Sequence, residues 1–304
     1  DHDRGPRRGR SRSHGSGRPG PGEPVPSDGG VQLRPGAQLM TTTIHWDHTF
    51  SLLRLEGMGA KDFLQGQTTA DLSGLMAGVL QQSCWLTATG RLLALLELRL
   101  DATGADVLVL AGDAEAVRRG FDQVIFPADR VRLGTSSLQR RLQGLDPAGP
   151  AFWVGDDQPL PEELHGSLRL ENDALERHRL QQGFPPGPAE MNGETNPLEL
   201  GLTNRISLDK GCYLGQETMA KLTGKGGVKQ QLRCWRSDQP LQHGDQLKVG
   251  SDRAGTITSA LNTPEGTLGL ALVRRKFLDL PSLQGPADQA VILATPAAFQ
   301  APAS

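Results

Sequence analysis

Between residues 51 and 133 the hydrophobic period switches between two and 3.6 in a set order, and that order restricts the fold more than any other feature of the chain. Residues 51–56 (SLLRLE) alternate as a half-buried strand does, and residues 58–67 carry Phe63 and Leu64 on the inward side of a short helix. Segments 80–87 and 91–100 then pair across Ala88-Thr89-Gly90, a hairpin signal, and residues 106–111 add a third strand. Asp113 is an N-cap for a helix ending near Phe126, where Pro127 stops it, and residues 130–133 return as a strand. The sequence of strand, helix, three strands, helix and strand predicts an α+β domain.

Residues 144–161 are rich in Gly, Pro and Asp and predict a linker, followed by a helix over 173–182 and a loop over 183–197. Beyond Trp235 the texture changes to short alternating strands at 246–249, 254–259 and 267–273, separated by turns such as Gln242-His243-Gly244-Asp245. That pattern predicts a small antiparallel barrel. The expected division is a first α+β domain at 40–145, a second at 146–235, the barrel at 236–280 and a loosely held Ala/Pro-rich end at 281–304.

The first 39 residues differ in kind. They hold seven arginines against four acids, a charge of +3, with nine glycines, six prolines and no lysine. They are too polar and too rich in chain breakers to build a core. They read as a disordered extension or as a start assigned too early, with Met40 the working first residue. The remainder, with 25 basic and 30 acidic residues, is mildly acidic, which argues against direct nucleic-acid binding. No apolar run approaches a bilayer span, the longest (92–96) ending at Glu97, so no membrane association is expected. Cys84, Cys212 and Cys234 are too few and too scattered for a disulfide framework, and no histidine shows ligand spacing. A cytoplasmic, reducing compartment and no resident metal follow as expectations.

One stretch carries chemistry rather than packing: Lys210-Gly211-Cys212-Tyr213-Leu214-Gly215-Gln216-Glu217. Gly211 reads as a break before a helix over 213–222. Cys212 at or beside that helix N-terminus, near Lys210, would be favoured as a thiolate. Gln216 offers donors and acceptors and Glu217 accepts two parallel N–H bonds, equipment that suits the 2-aminopyrimidinone edge of a pterin or guanine. The alternative is a buried cysteine beside a solvated Gln-Glu face.

With the following Thr218-Met219-Ala220-Lys221-Leu222, this segment resembles the signature of the YgfZ family of folate-binding proteins, relatives of the glycine-cleavage aminomethyltransferase. Residues 62–72 after Gly57 (DFLQGQTTADL) and 179–185 (RLQQGFP) are similar to two further marks of that family. The resemblance covers about residues 49–279. It implies a three-lobed aminomethyltransferase-like folate-binding fold ending in a small antiparallel β-barrel, with tetrahydrofolate as cofactor. It also implies folate and the iron–sulfur assembly machinery or client iron–sulfur proteins as partners, with a downstream effect on tRNA modification.

On the same resemblance Phe50, Leu175, Arg179, Tyr213, Gln216 and Glu217 would surround folate, with Cys212 and Lys210 as the chemical groups. Leu175 stands where bacterial members carry a second aromatic residue. The transferase's paired acids fall on Leu93 and Ala94, which argues against aminomethyl transfer, since no carboxylate there can move a proton. The alternatives are a one-carbon transferase or a passive folate-binding protein. Lys221, Lys225, Lys229 and Arg233 are expected as a basic loop near the folate mouth.

Overall fold

The first strand, β1 (Ile44–Glu56), is 13 residues long and organises the N-terminal half of the molecule. In the computed structural model, which describes residues 43–145, 149–224 and 227–301, its first half pairs with β6 and its second half with β4. The sequence pattern caught only residues 51–56, because His45, Asp47 and His48 mask the alternation of Ile44, Trp46 and Phe50. The expected extension over residues 1–39 lies outside the described residues.

Helix α1 (Ala60–Gln67) follows, then β2 (Leu80–Leu86), β3 (Leu92–Asp101) and β4 (Gly104–Gly112) in antiparallel succession. Helix α2 (Ala114–Asp122) is capped by the Asp113 carboxylate, which accepts from the backbone N–H of Glu115 and Ala116. It stops four residues earlier than the sequence suggested. The N–H groups of Val124 and Ile125 both turn back to the Phe121 carbonyl, which closes the helix and leaves Phe126 exposed. The short β5 (Arg132–Leu133) returns to β1, followed by β6 (Ser137–Gly144) and β7 (Ala151–Val154). The sheet order is β2-β3-β4-β1-β6-β7, with β8 (Leu168–Arg169) lying parallel to β1. The region expected as linker therefore supplies an edge strand, since Ala151-Phe152-Trp153-Val154 is apolar enough to pair with β6.

One face of this sheet packs Leu53, Leu55, Leu96, Leu98 and Val107 against α1 and α2 through Phe63, Leu64, Val117 and Phe121. The other face presents Phe50, Cys84, Leu95 and Leu108 to the second half of the chain. That half contributes helix α3 (Asn172–Gln182), helix α4 (Gln216–Thr223) and buried Leu198, Leu200 and Leu202. Both halves belong to one compact unit.

The C-terminal part is a closed barrel of β9 (Gln230–Ser237), β10 (Gln246–Val249), β11 (Asp252–Thr263), β12 (Gly266–Arg274), β13 (Ser282–Gln284) and β14 (Ala290–Ala294), in the order β10-β11-β12-β9-β14-β13. Closure removes the exposed strand edges an open sheet would present. Two boundaries thus change. The barrel begins at Gln230, so Cys234 and Trp235 lie within its first strand. The segment beyond 280, expected to be loosely held, supplies the two strands that close the barrel, with Leu283 and Val291 in its core. Their apolar positions are too few and too short to register as strands without the partners that complete the pairing.

Candidate functional site: a cavity beside helix α3

The octapeptide is mostly loop. Gly215, at φ +85°, stands at the N-terminal boundary of α4, so the helix starts at Gln216 and not near Tyr213. Cys212 is exposed, four residues ahead of the helix, and the expectation of a thiolate held at a helix N-terminus is corrected accordingly. Positive φ is cheap for glycine and strained for any other residue, which is why the turn falls at this position.

Lys210 pegs the loop down. Its Nζ donates to the carbonyls of Thr68 (2.6 Å) and Ala70 (2.7 Å) and lies 5.0 Å from the centre of the Tyr213 ring. Burial pushes its pKa down to about 8. Its side chain is occupied by the segment after α1. Gln216 folds back on its own loop, donating to the Lys210 carbonyl at 3.2 Å, and Glu217 pairs with Lys221 in solvent. Tyr213 is buried, its hydroxyl has no partner, and burial lifts its pKa to about 12. Gly90 and Gly215 bring α4 against the β2–β3 hairpin: a Cβ on Gly90 would sit 2.8 Å from the Met219 methyl.

A cavity of about 350 Å³ opens between β1, the sheet and α3. Of the residues expected around folate, Leu175 and Arg179 line it; Phe50, Tyr213, Gln216 and Glu217 do not, and neither do Lys210 and Cys212. Phe50 stands behind the wall, edge-on to Trp46 with ring centres 5.3 Å apart. Arg179 is already engaged. It makes a double hydrogen bond to Glu176 (2.8 Å each) and reaches buried Glu190 at 3.1 Å, tying α3 to the loop after it.

Sequence reasoning missed the residues that give the cavity its polarity. Trp46 has a buried indole N–H with no acceptor. Arg205 lies with its guanidinium 4.3 Å from the Phe184 ring centre, donating from Nε to Gln82 (2.8 Å) and from Nη1 to Asn204 (2.6 Å). Gln82 and Gln143, also in the wall, are held from behind by a buried ion pair. Gln82 donates to Glu97 (3.2 Å) and Gln143 accepts from Arg141 (2.7 Å). A signal existed: Glu97 directly follows the apolar run Leu92–Leu96, and a charge buried at such a position requires a partner. The partner is Arg141, 44 residues away, which no local pattern reveals.

Among the described residues, Arg233 does not join the expected basic loop. Lys221 is paired to Glu217, and Arg233 is buried with its guanidinium over the Phe299 ring at 5.5 Å; Lys225 lies outside the described residues. Leu93 and Ala94 pack with the apolar cluster under α1 and α2. Among the described residues, no group of three or more His, Cys, Asp or Glu side chains is placed to hold a metal ion, and no helix is long and apolar enough to cross a membrane.

No protein-family model matches the chain. A chloroplastic protein of Arabidopsis thaliana named as a transferase is 26% identical over 278 aligned residues, covering 75% of this chain, and the chain spans 64% of that protein's length. The tRNA-modifying protein YgfZ of Colwellia psychrerythraea is 26% identical, with 83% of this chain and 91% of that protein covered. Its counterpart from Serratia proteamaculans is 27% identical, with 77% and 84% covered. The glycine cleavage system aminomethyltransferase T of Bartonella henselae superposes with a TM-score of 0.66 at 17% identity, over 86% of this chain and 87% of that one, which establishes the shared fold.

Proposed function

We propose that the chain, similar to YgfZ proteins in sequence and to aminomethyltransferase T in fold, is a folate-binding accessory protein supporting iron–sulfur cluster assembly or repair and, through it, tRNA modification. The observation that carries folate binding is the cavity beside α3. Its volume suits a ligand of moderate size, and it combines apolar walls at Trp46, Leu175 and Phe184 with the half-buried Arg205 guanidinium, stacked on Phe184 and hydrogen-bonded to Gln82 and Asn204.

Tetrahydrofolate, when bound, supplies a reduced pterin that carries one-carbon units. The chain's own part is to hold and orient it. Leu175 and Trp46 would cover its flat surfaces, Gln82 and Gln143 would present fixed amides, and the Glu97–Arg141 pair behind them keeps those amides in place.

Cys212 supports the accessory role. It is the exposed thiol of the three, on a loop fixed by Lys210, and is therefore free to meet a thiolate ligand site on another protein. A single thiol leaves most of a cluster's coordination to be completed elsewhere, so iron or a cluster would be cargo shared with a partner. A one-carbon transferase is the weaker reading, because the apolar packing of Leu93 and Ala94 provides no proton-transfer group.

The test has two arms. Calorimetry should detect tetrahydrofolate binding to the purified protein. In a deletion strain, the wild-type gene should restore cluster-dependent enzyme activity and Cys212→Ala should not. Absence of heat and of any thermal shift with reduced folates would remove the folate assignment, and full rescue by Cys212→Ala would remove the thiol.

A further inference from the structure

We infer that Arg205, and not Arg179, is the residue that recognises a carboxylate of the ligand in the cavity beside α3. The inference rests on the folate reading and deepens it by saying which end of the ligand is read and by what.

The charges around the cavity are otherwise settled. Arg179 is more than neutralised, since it lies between the carboxylates of Glu176 and Glu190. His178 has its pKa lowered by burial and is neutral near pH 7. Arg205 differs. No carboxylate among the described residues lies within ion-pair distance of it, its two bonded nitrogens meet the neutral amide oxygens of Gln82 and Asn204, and Nη2 has no acceptor. The carboxylate of Glu97 is saturated by Arg141, Trp153 and Gln82.

A half-buried guanidinium whose hydrogen bonds go to amides and to no carboxylate is an under-compensated charge, and burial accordingly lowers its pKa. Stacking on Phe184 fixes its plane, so an arriving oxyanion meets a donor whose orientation is already set. A cation without a carboxylate partner, in a wall whose own acid, Glu176, is engaged by Arg179, gives the cavity a position for an oxyanion. In a folate, the glutamyl tail bears the carboxylates and the pterin ring bears none. Arg205 also ends the turn that leads into the signature loop, and its carbonyl accepts from Thr69 Oγ1 at 2.7 Å, beside the two carbonyls that hold Lys210. The anchor and the Cys212 loop therefore share one support.

The experiment compares wild type with Arg205→Gln by calorimetry, using tetrahydrofolate and 6-methyltetrahydropterin, a reduced pterin with no carboxylate. Loss of a charge-assisted contact should weaken tetrahydrofolate by about tenfold or more while pterin affinity stays within about twofold of wild type. Undetectable pterin binding by both proteins, together with the loss for tetrahydrofolate, supports the assignment equally. If Arg205→Gln does not fold, Arg205→Lys retains the charge without the planar fork and should show the same selective weakening at smaller size. Unchanged tetrahydrofolate affinity, or equal weakening of both ligands, overturns the assignment while leaving the folate reading standing. A wild-type protein that binds neither ligand overturns the folate reading itself, and the anchor with it.

Discussion

Glu97 on β3 and Arg141 on β6 face each other through two hydrogen bonds of 2.7 Å, with side chains 2% and 1% exposed. The pair spans the sheet across β4 and β1 and collects Trp153, Gln82 and Gln143 around it. Burial alone would raise the pKa of Glu97. Hydrogen bonds and charge from Arg141, with the N–H groups of Trp153 and Gln82, bring it below the usual carboxylate range instead.

Removing one partner leaves an uncompensated buried charge. Arg141→Met or Glu97→Met should each cost about 3–5 kcal/mol of unfolding free energy, and the double substitution should cost less than the sum of the two. Urea denaturation of the four proteins measures this. Additive losses would show that the two side chains act independently.

Lys210 gives a pH signature. Its pKa in the folded protein falls from the usual 10.5 to about 8 because burial disfavours the ammonium. Between those values the unfolded chain holds a proton that the folded one has released, so stability contributed by this residue rises with pH. Below about 8 both states are protonated and the burial penalty is fully present. The stability difference between wild type and Lys210→Met should therefore shift in favour of wild type from pH 8 toward pH 10. A flat difference across that window would mean that the ammonium is better solvated than its two carbonyl contacts indicate.

The three cysteines should separate kinetically. Cys84 is wholly buried and its pKa is pushed up to about 12 by burial. Cys234 is half-buried, raised to about 11 by burial, and directs its thiol to the carbonyls of Leu180 and Gln181. Cys212 is exposed. Alkylation of the native protein near pH 7.5 should label Cys212 first, and Cys212→Ala should abolish the fast phase. Mass spectrometry of the early product decides; a modified Cys234 at that stage would contradict the reading.

Gly90 and Gly215 make the contact between the hairpin and α4. Both have positive φ, and a Cβ would meet Thr218 at 2.9 Å in the first case and the Thr87 carbonyl at 2.8 Å in the second. Gly90→Ala or Gly215→Ala should each lower stability by roughly 1–3 kcal/mol and loosen the signature loop. Thermal melting reads the first effect. Faster proteolysis between Lys210 and Lys221 reads the second.

Local chemistry settled much of this protein before any tertiary contact formed. The Asp113 cap, the hairpin over Ala88-Thr89-Gly90 and the inward Phe63 and Leu64 follow from residues a few positions apart, so sequence reveals them. The octapeptide at 210–217 likewise marked itself by its unusual residue mixture, and its resemblance pointed to the right fold. What remained hidden depends on partners distant in the chain. Whether Arg179 or Arg205 is unpaired turns on Glu176 and Glu190 in one case and on Gln82, 123 residues away, in the other. The end of the barrel is a pair of short strands whose apolar content matters only once β9 and β10 stand beside them. Cys212 lies outside a helix because Gly215 takes a left-handed turn against Thr87 and Gly90. Sequence fixes what each residue prefers over a few neighbours; burial and charge compensation are properties of the assembled surroundings, and in this protein the cavity's character is set by those.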